Sequence, residues 1–204
     1  MLPAVRRAFA DATLTTWEWL QSRAAVTPGT RRAARFAEFG EGTFICFPPQ
    51  ALYGEHAIVL GANTAIGPNV ALSVGMVPGQ ELIGERMLRI GDRCLIGRGS
   101  SIACHFDIEI GDDVFFGPNV YVTDQNHGNV DPSVPIGRQT APEQAVRIGS
   151  GSWLATGVVV TPGVTIGHNV TVGANSVVTT DLPDGAVAVG APARVVNERP
   201  DSGA

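Results

Sequence analysis

Aliphatic residues recur at every sixth position along most of this chain. A period of six fits neither an α-helix nor the simple alternation of a long strand. The residue that follows is Gly at nine of the fifteen positions and small at the others. The fifteen positions are Leu60, Ile66, Leu72, Ile90, Ile96, Ile102, Ile110, Phe116, Val122, Ile148, Leu154, Val160, Ile166, Val172 and Val178.

This period predicts short strands joined by regular turns, with one side chain per strand pointing into a narrow core. The small residue that follows lets the chain turn where a Cβ would crowd the backbone. Three hexads make one triangular turn, and successive turns stack as parallel strands about 4.8 Å apart. Hexapeptide repeats of this kind produce parallel β-helices. We therefore expect a mainly β protein of about five coils, which also accounts for 25 Gly and only 16% charged residues.

Two breaks in the repeat predict excursions from the coils. Leu72 and Ile90 are 18 residues apart, which is three hexads, but the residues between them lack the repeat pattern. We interpret the stretch from Val77 to Arg89 as a hairpin. The step from Val122 to Ile148 is 26 residues long. Residues 124–145 are therefore predicted to form a long loop, which Asp-Pro, Val-Pro and Ala-Pro turn signals support. Long loops on a compact fold often carry function.

The chain ends depart from the repeat. Residues 3–26 predict an amphipathic helix, ended by Pro28-Gly29, and residues 30–39 a second short helix. We interpret the helical segment as a cap over the open first coil, because solenoid ends expose unpaired strand edges. The predicted apolar face comprises Val5, Phe9, Ala12, Thr16, Trp19 and Leu20. The predicted units are a helical segment (1–40), the β-helix with its loop (41–183) and a tail (184–204).

Charge and cysteine usage exclude several classes of protein. The net charge of −5 argues against a dedicated nucleic-acid binder. No apolar run approaches the ~18 residues of a membrane span, and the N-terminal stretch lacks the apolar core of a signal peptide. The three cysteines fit no zinc motif and are expected to be buried free thiols. A cytoplasmic protein is the resulting expectation.

Three segments carry a family resemblance that extends from about Leu60 to Val196. They are FGPNVYVTDQNHG (Phe116–Gly128), RIGSGSWLATGVVVTPGVTIGHNVTVGANSVVTTDLP (Arg147–Pro183) and GAPARVV (Gly190–Val196). With them the chain resembles the hexapeptide-repeat acyltransferases, and among these the maltose- and galactoside-type sugar O-acetyltransferases. The resemblance implies a left-handed parallel β-helix and a homotrimer with active sites between neighbouring subunits. It also implies acetyl-CoA as co-substrate and no required metal.

The resemblance assigns the catalytic residues. His127 matches the catalytic histidine of the family, and a histidine suits the removal of a hydroxyl proton near neutral pH. Thr156 is implied to supply the backbone N–H that stabilises the tetrahedral oxyanion and to contact acetyl-CoA. Trp153 is implied to wall the pantetheine channel. The implied coenzyme A contacts are Ala174, Thr179, Thr180 and Arg194. Many relatives have Lys at position 180, and this chain has no Lys at all, so we expect Arg194 to carry more of the charge opposite the phosphates.

The acceptor side departs from the family pattern. His105 is predicted to point outward near the start of the long loop, where maltose- and galactoside-acetylating relatives carry an acidic residue. Those relatives also have Asn where this chain has Gly97. Both departures favour a different hydroxylated acceptor. His105, Asp124 and Asn126 are the predicted acceptor contacts, and Glu143 of the same loop is a further candidate.

We therefore predict an acetyl-CoA-dependent O-acetyltransferase that acts on a sugar or sugar-like hydroxyl in a direct ternary complex. A covalent intermediate would need an activated Ser or Cys beside a base, and the sequence shows no such pair. An amino-sugar N-acetyltransferase and a non-catalytic trimeric scaffold stay open as alternatives. A zinc-dependent γ-type carbonic anhydrase is disfavoured because His105, His127 and His168 are widely spaced. The sequence leaves open the acceptor and the length of the acyl group.

Overall fold

Residues 3–198 are described by a computed structural model, and they form one helix followed by a coil of short strands. The helix, α1, is Pro3–Arg23. The strands are β1 (Glu38–Phe39), β2 (Phe44–Ile45), β3 (Ala51–Tyr53), β4 (Ile58–Leu60), β5 (Ala65–Ile66), β6 (Ala71–Val74), β7 (Leu88–Ile90), β8 (Leu95–Ile96), β9 (Ser101–Cys104), β10 (Ile108–Ile110), β11 (Phe115–Phe116), β12 (Tyr121–Thr123), β13 (Val146–Ile148), β14 (Trp153–Leu154), β15 (Val159–Val160), β16 (Thr165–Ile166), β17 (Thr171–Val172), β18 (Val177–Val178), β19 (Ala186–Val189) and β20 (Arg194–Glu198).

The strands form three sheets, which the chain visits in rotation. Sheet 1 has the order β1-β4-β7-β10-β13-β16, sheet 2 the order β2-β5-β8-β11-β14-β17-β19-β20, and sheet 3 the order β3-β6-β9-β12-β15-β18. All neighbours are parallel except β19 and β20. The predicted left-handed parallel β-helix is confirmed.

The β-helix has six rungs rather than about five. The additional rung is β1 to β3, whose inner residues pair with the first predicted repeats: Phe39 with Leu60 and Ile45 with Ile66. Here the steps between inner residues grow from six to seven to eight. A search for a strict period of six therefore misses this rung. β19 and β20 extend sheet 2 beyond residue 183, and the division of the chain at residues 40 and 183 stays a prediction.

The predicted core residues are buried without exception. Each of the fifteen repeat positions is at most 2% exposed, and like positions stack on one another from rung to rung, as Ile90, Ile110 and Ile148 do in sheet 1. Burying one such side chain stabilises a fold by about 1.5–3 kcal/mol. The core is thus a set of aliphatic columns, one for each sheet.

The corners of the coil impose two different requirements. At the first corner, between sheets 1 and 2, the residue after the inner aliphatic is always Gly, because an added Cβ would meet the next rung; at Gly149 it would lie 2.5 Å from the carbonyl carbon of Gly167. The third residue after the inner aliphatic repeatedly has a positive φ, a requirement that the sequence analysis missed. Besides glycines, this left-handed position holds Asn63, Asn69, Arg93, Asp113, Asn119, Asn169 and Asn175.

Both long excursions leave the third corner, between sheets 3 and 1. Residues 75–87 contain no strand, so the predicted hairpin is wrong, and the coil resumes at β7. Residues 124–145 form the predicted loop, with one short 3₁₀ turn at Ile136–Arg138. The second corner, between sheets 2 and 3, carries neither excursion.

The expected helical cap is wrong. α1 has no buried residue, and its one aromatic contact with the coil pairs Trp17 with Phe47, whose ring centroids are 6.0 Å apart. The segment after the helix covers the first rung instead, with Val26 and Phe36 buried. In that segment the predicted second helix is reduced to a 3₁₀ turn, Ala33–Arg35.

A buried ion pair fixes this cap to the coil. The Glu55 side chain is only 4% exposed, and Arg32 Nη2 lies 2.8 Å from its carboxylate. Arg35 approaches the other oxygen at 3.5 Å. A carboxylate so far from water requires such partners, because burial disfavours an unpaired charge.

We predict that Gly149→Ala destabilises the coil, because the new Cβ would meet backbone atoms that cannot move away. The free energy of unfolding should fall by about 2 kcal/mol or more, which corresponds to a drop in Tm of roughly 4–8 °C. Gly137→Ala is the matched control, since nothing lies within 4 Å of its added Cβ. Equal melting temperatures for the two variants would contradict the close packing of the first corner.

Candidate active site

The long loop at the third corner is organised around Gln139. Its side-chain Nε2 donates hydrogen bonds to the carbonyl oxygens of Asp131 (2.8 Å) and Val134 (2.7 Å). Its Oε1 accepts one from the Asp131 N–H at 3.0 Å. Sequence analysis did not single out Gln139, because an amide that bonds only to backbone leaves no motif. These three bonds hold Gln139 against the turn between Asp131 and Val134.

The same residue fixes His127. The Gly128 N–H donates to the Gln139 carbonyl at 3.0 Å, and His127 and Thr140 form an antiparallel bridge. The imidazole Nδ1 lies 3.4 Å from the Gln139 carbonyl oxygen. A carbonyl only accepts, so a hydrogen bond at this contact requires the proton on Nδ1 and leaves Nε2 as the ring nitrogen that faces away from Gln139. The ring is exposed, and the backbone N–H of His127 donates to Asn126 Oδ1 at 2.9 Å.

Asp124 has a structural place rather than the predicted acceptor contact. It is fully buried, and its carboxylate accepts hydrogen bonds from the backbone N–H groups of His105, Phe106 and Asp107, each at 2.8 Å. With both oxygens occupied inside the protein, it is not available to a bound acceptor. Asp124 instead ties the start of the loop to the preceding rung.

His105 and Glu143 meet at the third corner. The His105 side chain is 13% exposed, and its Nδ1 lies 4.0 Å from Glu143 Oε1. Because Asp124 binds the backbone of His105 and leads directly into the His127 segment, His105, Asn126, His127 and Glu143 belong to one corner of the coil. The segment between Ile102 and Ile110, which is two residues longer than a hexad, and the long loop are therefore neighbours in space.

The buried cysteines are poor nucleophiles. Burial raises the pKa of the Cys94 thiol to about 11. Burial, and then the charge of Asp124, raise the pKa of Cys104 even further. Since the thiolate is the reactive form, both thiols stay protonated near neutral pH. Cys46 is only half-buried, which departs from the expected burial of all three thiols.

The second corner presents backbone N–H groups without partners. At the first corner, side chains of the next rung accept from these turn N–H groups, as Asp92 does from Ala62 at 2.7 Å. At the second corner, the N–H groups of Thr156 and Ala174 have no acceptor within residues 3–198. Gly117 leaves the Thr156 nitrogen uncovered, because a Cβ there would lie 2.7 Å from it. A free backbone donor can bind a carbonyl or an oxyanion.

The remaining predicted coenzyme contacts are exposed. Trp153 is 46% exposed on the outer side of sheet 2. Arg194 lies next to the second corner. The N–H of the preceding residue, Ala193, donates a hydrogen bond to the carbonyl oxygen of Val177 at 2.8 Å, and Val177 is the first residue of β18, directly after that corner. Thr179 and Thr180 follow β18 and therefore lie at the third corner, two rungs beyond the strand that leads to His127.

One chain does not bring the two groups together. Thr156 lies over Gly117 and Pro118 at one end of β12, and His127 follows Asp124 at the other end. Six residues separate Pro118 from Asp124, which is up to roughly 20 Å of chain. A site that uses both groups therefore needs a bridging ligand or a second copy of the chain.

Comparison with known proteins places the chain in a family. The hexapeptide repeat of bacterial transferases matches residues 145–180, and the hexapeptide repeat of succinyl-transferase matches residues 87–124. The chain is 35% identical to galactoside O-acetyltransferase of Lactococcus lactis, over 60% of this chain and 68% of that protein. It is 30% identical to galactoside O-acetyltransferase of Escherichia coli, over 73% of this chain and 68% of that protein. The chain belongs to the hexapeptide-repeat acyltransferases. The resemblance seen in the sequence is thereby confirmed.

Three further proteins show how far the likeness extends. The chain is 41% identical to an acetyltransferase of Mycobacterium tuberculosis, but the match covers 56% of this chain and only 38% of that protein. AntD, an N-acyltransferase from Bacillus cereus solved with dTDP and 3-hydroxybutyryl-CoA, has a TM-score of 0.70 at 21% identity and covers 83% of this chain and 86% of its own. Perosamine N-acetyltransferase from Caulobacter crescentus, solved with CoA and GDP-perosamine, has a TM-score of 0.51 at 26% identity. The match covers 74% of this chain and 55% of that chain.

Residues 3–198 contain neither a membrane-spanning helix nor a cluster of metal ligands. None of the helices in this range has the length and apolarity needed to cross a bilayer. No group of three or more His, Cys, Asp or Glu side chains in it is arranged to hold a metal ion. The cytoplasmic location stays a prediction.

We predict that Gln139→Ala loosens the loop without unfolding the coil. The substitution removes three hydrogen bonds, each worth about 0.5–1.5 kcal/mol. Hydrogen exchange of the Gly128 amide should then accelerate by about 10–100-fold, while amides of the inner strands keep their protection. Val130→Ala is the control, because Val130 is 90% exposed in the same loop. Unchanged exchange in Gln139→Ala would show that the loop is held by other contacts.

Proposed function

We propose that this acyltransferase moves an acetyl group from acetyl-CoA to a hydroxyl of a sugar or sugar-like acceptor, with His127 as general base. The observation that carries the proposal is the state of the His127 ring. Its Nδ1 is engaged by the Gln139 carbonyl, the ring is exposed, and Nε2 is left to accept a proton. An imidazole titrates near neutral pH and so suits this task.

The donor side rests on the free N–H groups of the second corner. Thr156 is proposed to donate its N–H to the thioester oxygen, and Ala174 to bind the pantetheine arm. Trp153 would wall that arm, with Thr179, Thr180 and Arg194 nearer the nucleotide. The complexes of AntD and perosamine N-acetyltransferase with CoA or acyl-CoA support a CoA thioester as donor.

The reaction follows in two steps. Nε2 of His127 removes the proton of the acceptor hydroxyl while its oxygen attacks the thioester carbonyl carbon. The carbonyl π-bond opens to an oxyanion, which the Thr156 N–H stabilises. The oxyanion then collapses, the C–S bond breaks, and the CoA thiolate takes the proton from the His127 imidazolium. The products are the acetyl ester and CoA.

Direct transfer, without an acyl-enzyme, agrees with the burial and raised pKa values of Cys94 and Cys104. A covalent acyl-enzyme needs an activated nucleophile beside a base. Cys94 and Cys104 are buried, and burial raises the pKa of each thiol. We therefore propose a ternary complex of enzyme, acetyl-CoA and acceptor rather than a ping-pong route.

His105 and Glu143 are the proposed acceptor contacts, together with Asn126. Both side chains of the pair can bond to hydroxyl groups, and the pair lies in the corner that carries His127. Relatives named O-acetyltransferases match at 30% identity or more over two thirds of their length, which favours a hydroxyl acceptor. Amino-sugar N-acylation is the second candidate, supported by the structural likeness to perosamine N-acetyltransferase.

A homotrimer would complete the site between copies. Outward residues of sheet 1 form ion pairs, such as Arg89 with Glu109 at 2.9 Å. Those of sheet 3, and of sheet 2 from β2 to β19, carry no charge, which is typical of a surface that binds another protein. In sheet 2 they are Phe44, Ala65, Leu95, Phe115, Trp153, Thr171 and Val187, and in sheet 3 Ala51, Ala71, Ser101, Tyr121, Val159 and Val177.

We predict that His127→Ala lowers kcat by about 10²–10⁴-fold, because the hydroxyl proton then has no acceptor. The rate is followed as free thiol released from acetyl-CoA in the presence of an acceptor. His56→Ala is the matched control, since His56 is an exposed histidine near the first rung with no proposed role. Full turnover by His127→Ala would exclude this mechanism.

We predict that His105→Ala and Glu143→Gln each raise the KM for the acceptor and leave the KM for acetyl-CoA unchanged. The test uses a panel of sugars and amino sugars with the same thiol assay. Faster turnover of amino sugars would favour N-acylation instead. No acceptor-dependent release of CoA by the unaltered protein would favour the non-catalytic scaffold.

A further inference from the structure

The helix α1 carries an apolar seam that no other part of residues 3–198 covers. Val5, Phe9, Ala12, Thr16 and Trp19 follow one another at spacings of four, three, four and three residues. This is the 3.5-residue period of helices that pack along one another. Yet no residue of α1 is buried, and Phe9 and Trp19 are 72% and 58% exposed.

The side opposite this seam carries charged residues, together with the exposed Leu14. Arg7 and Asp11 lie there 4.0 Å apart as an i,i+4 pair, and Glu18 follows on the same side. Two shallow grooves flank the seam, and both are lined by the small residues Ala12 and Thr16. Small residues between aromatic ones offer holes into which side chains of a second helix can insert.

The contact of α1 with its own coil leaves the seam free. Trp17 packs on Phe47, but it stands two positions from Trp19, about 160° around the helix. Most of the stability of a helix in a protein comes from tertiary packing of its apolar face, and α1 contains three threonines, Thr13, Thr15 and Thr16, which are poor helix formers. Association along the seam would supply the missing stabilisation.

The attachment of α1 points to a second copy of the chain as the occupant. Val26, just after the helix, pairs with Ile45 of β2 in sheet 2. The helix therefore extends from the sheet whose outer column is uncharged and includes Phe44, Leu95 and Phe115. In a cyclic assembly every copy points the same way along the symmetry axis, so helices that meet near that axis are parallel.

We propose that α1 packs in parallel against α1 of neighbouring copies through the seam Val5, Phe9, Ala12, Thr16 and Trp19. The occupant is the same segment of another copy, and the contact adds a helical interface to the one proposed for the β-helix. The inference does not depend on acyl transfer, and its test does not use activity.

Disulfide crosslinking tests the geometry. Trp19→Cys and Val5→Cys place a thiol at either end of the seam, and Leu14→Cys places one on the opposite side, where the native Leu14 is 61% exposed. We expect Trp19→Cys and Val5→Cys each to form same-position dimers on oxidation, with Leu14→Cys and the unaltered chain at background. Crosslinks only between Val5→Cys and Trp19→Cys chains in a mixture would show antiparallel packing and overturn the proposal.

A charge in the seam gives the second readout. Phe9→Glu, introduced into the Trp19→Cys chain, should abolish the crosslink and reduce the helical circular dichroism signal, whereas Leu14→Glu should change neither. Sedimentation shows whether the β-helix assembly persists. Binding to vesicles of anionic phospholipid tests the alternative, a lipid surface. If the chain binds the vesicles, Phe9→Glu abolishes that binding and no crosslink exceeds background, the seam binds lipid and helix pairing is excluded.

Discussion

The stacking of one rung directly on the next is the constraint on which this structure depends. Each strand of the six rungs contributes only two to four residues, so no strand is stable alone, and its backbone groups are satisfied by the rungs on either side. This arrangement works only if the rungs approach closely, as at the first corner, where a Cβ on Gly149 would lie 2.5 Å from a carbonyl carbon of the next rung. The uniform period in the sequence is the consequence, because any extra residue must leave the stack.

The left-handed path of the coil has a local cause. Parallel strands are normally connected in a right-handed sense because long strands twist. Strands of two to four residues accumulate little twist, and here most turns at the first two corners are set by a residue with positive φ, such as Asn119 or Asn175. Asn tolerates that conformation better than other residues with a side chain. The chain thus uses turn chemistry, repeated at fixed spacing, where other folds use strand twist.

Sequence alone predicted the parts of the molecule that repeat. The inner positions from Leu60 to Val178 follow from the period, because burial acts on each of them in the same way. The first rung was missed because insertions disturb its spacing. The cap was misassigned to α1, since an amphipathic helix indicates that its apolar face has a partner but does not identify the partner. Asp124 was assigned the wrong role and Gln139 was missed for another reason: both act on backbone groups of other segments, and only the fold shows which N–H and carbonyl groups lie within reach.

The position of the candidate site follows from differences among the three corners. The first corner is closed, because Gly packs there against the next rung and side chains such as Asp92 satisfy the turn N–H groups. The third corner has Ser73, Ala103 and Thr123 after the inner residue and so is less tightly packed, which lets the chain depart and return with a loop. The second corner has no loop, but its Thr156 N–H is unsatisfied. Acid–base groups can therefore collect at one edge of sheet 3 and oxyanion donors at the other. A catalytic site that needs both is most simply formed where edges of two copies meet.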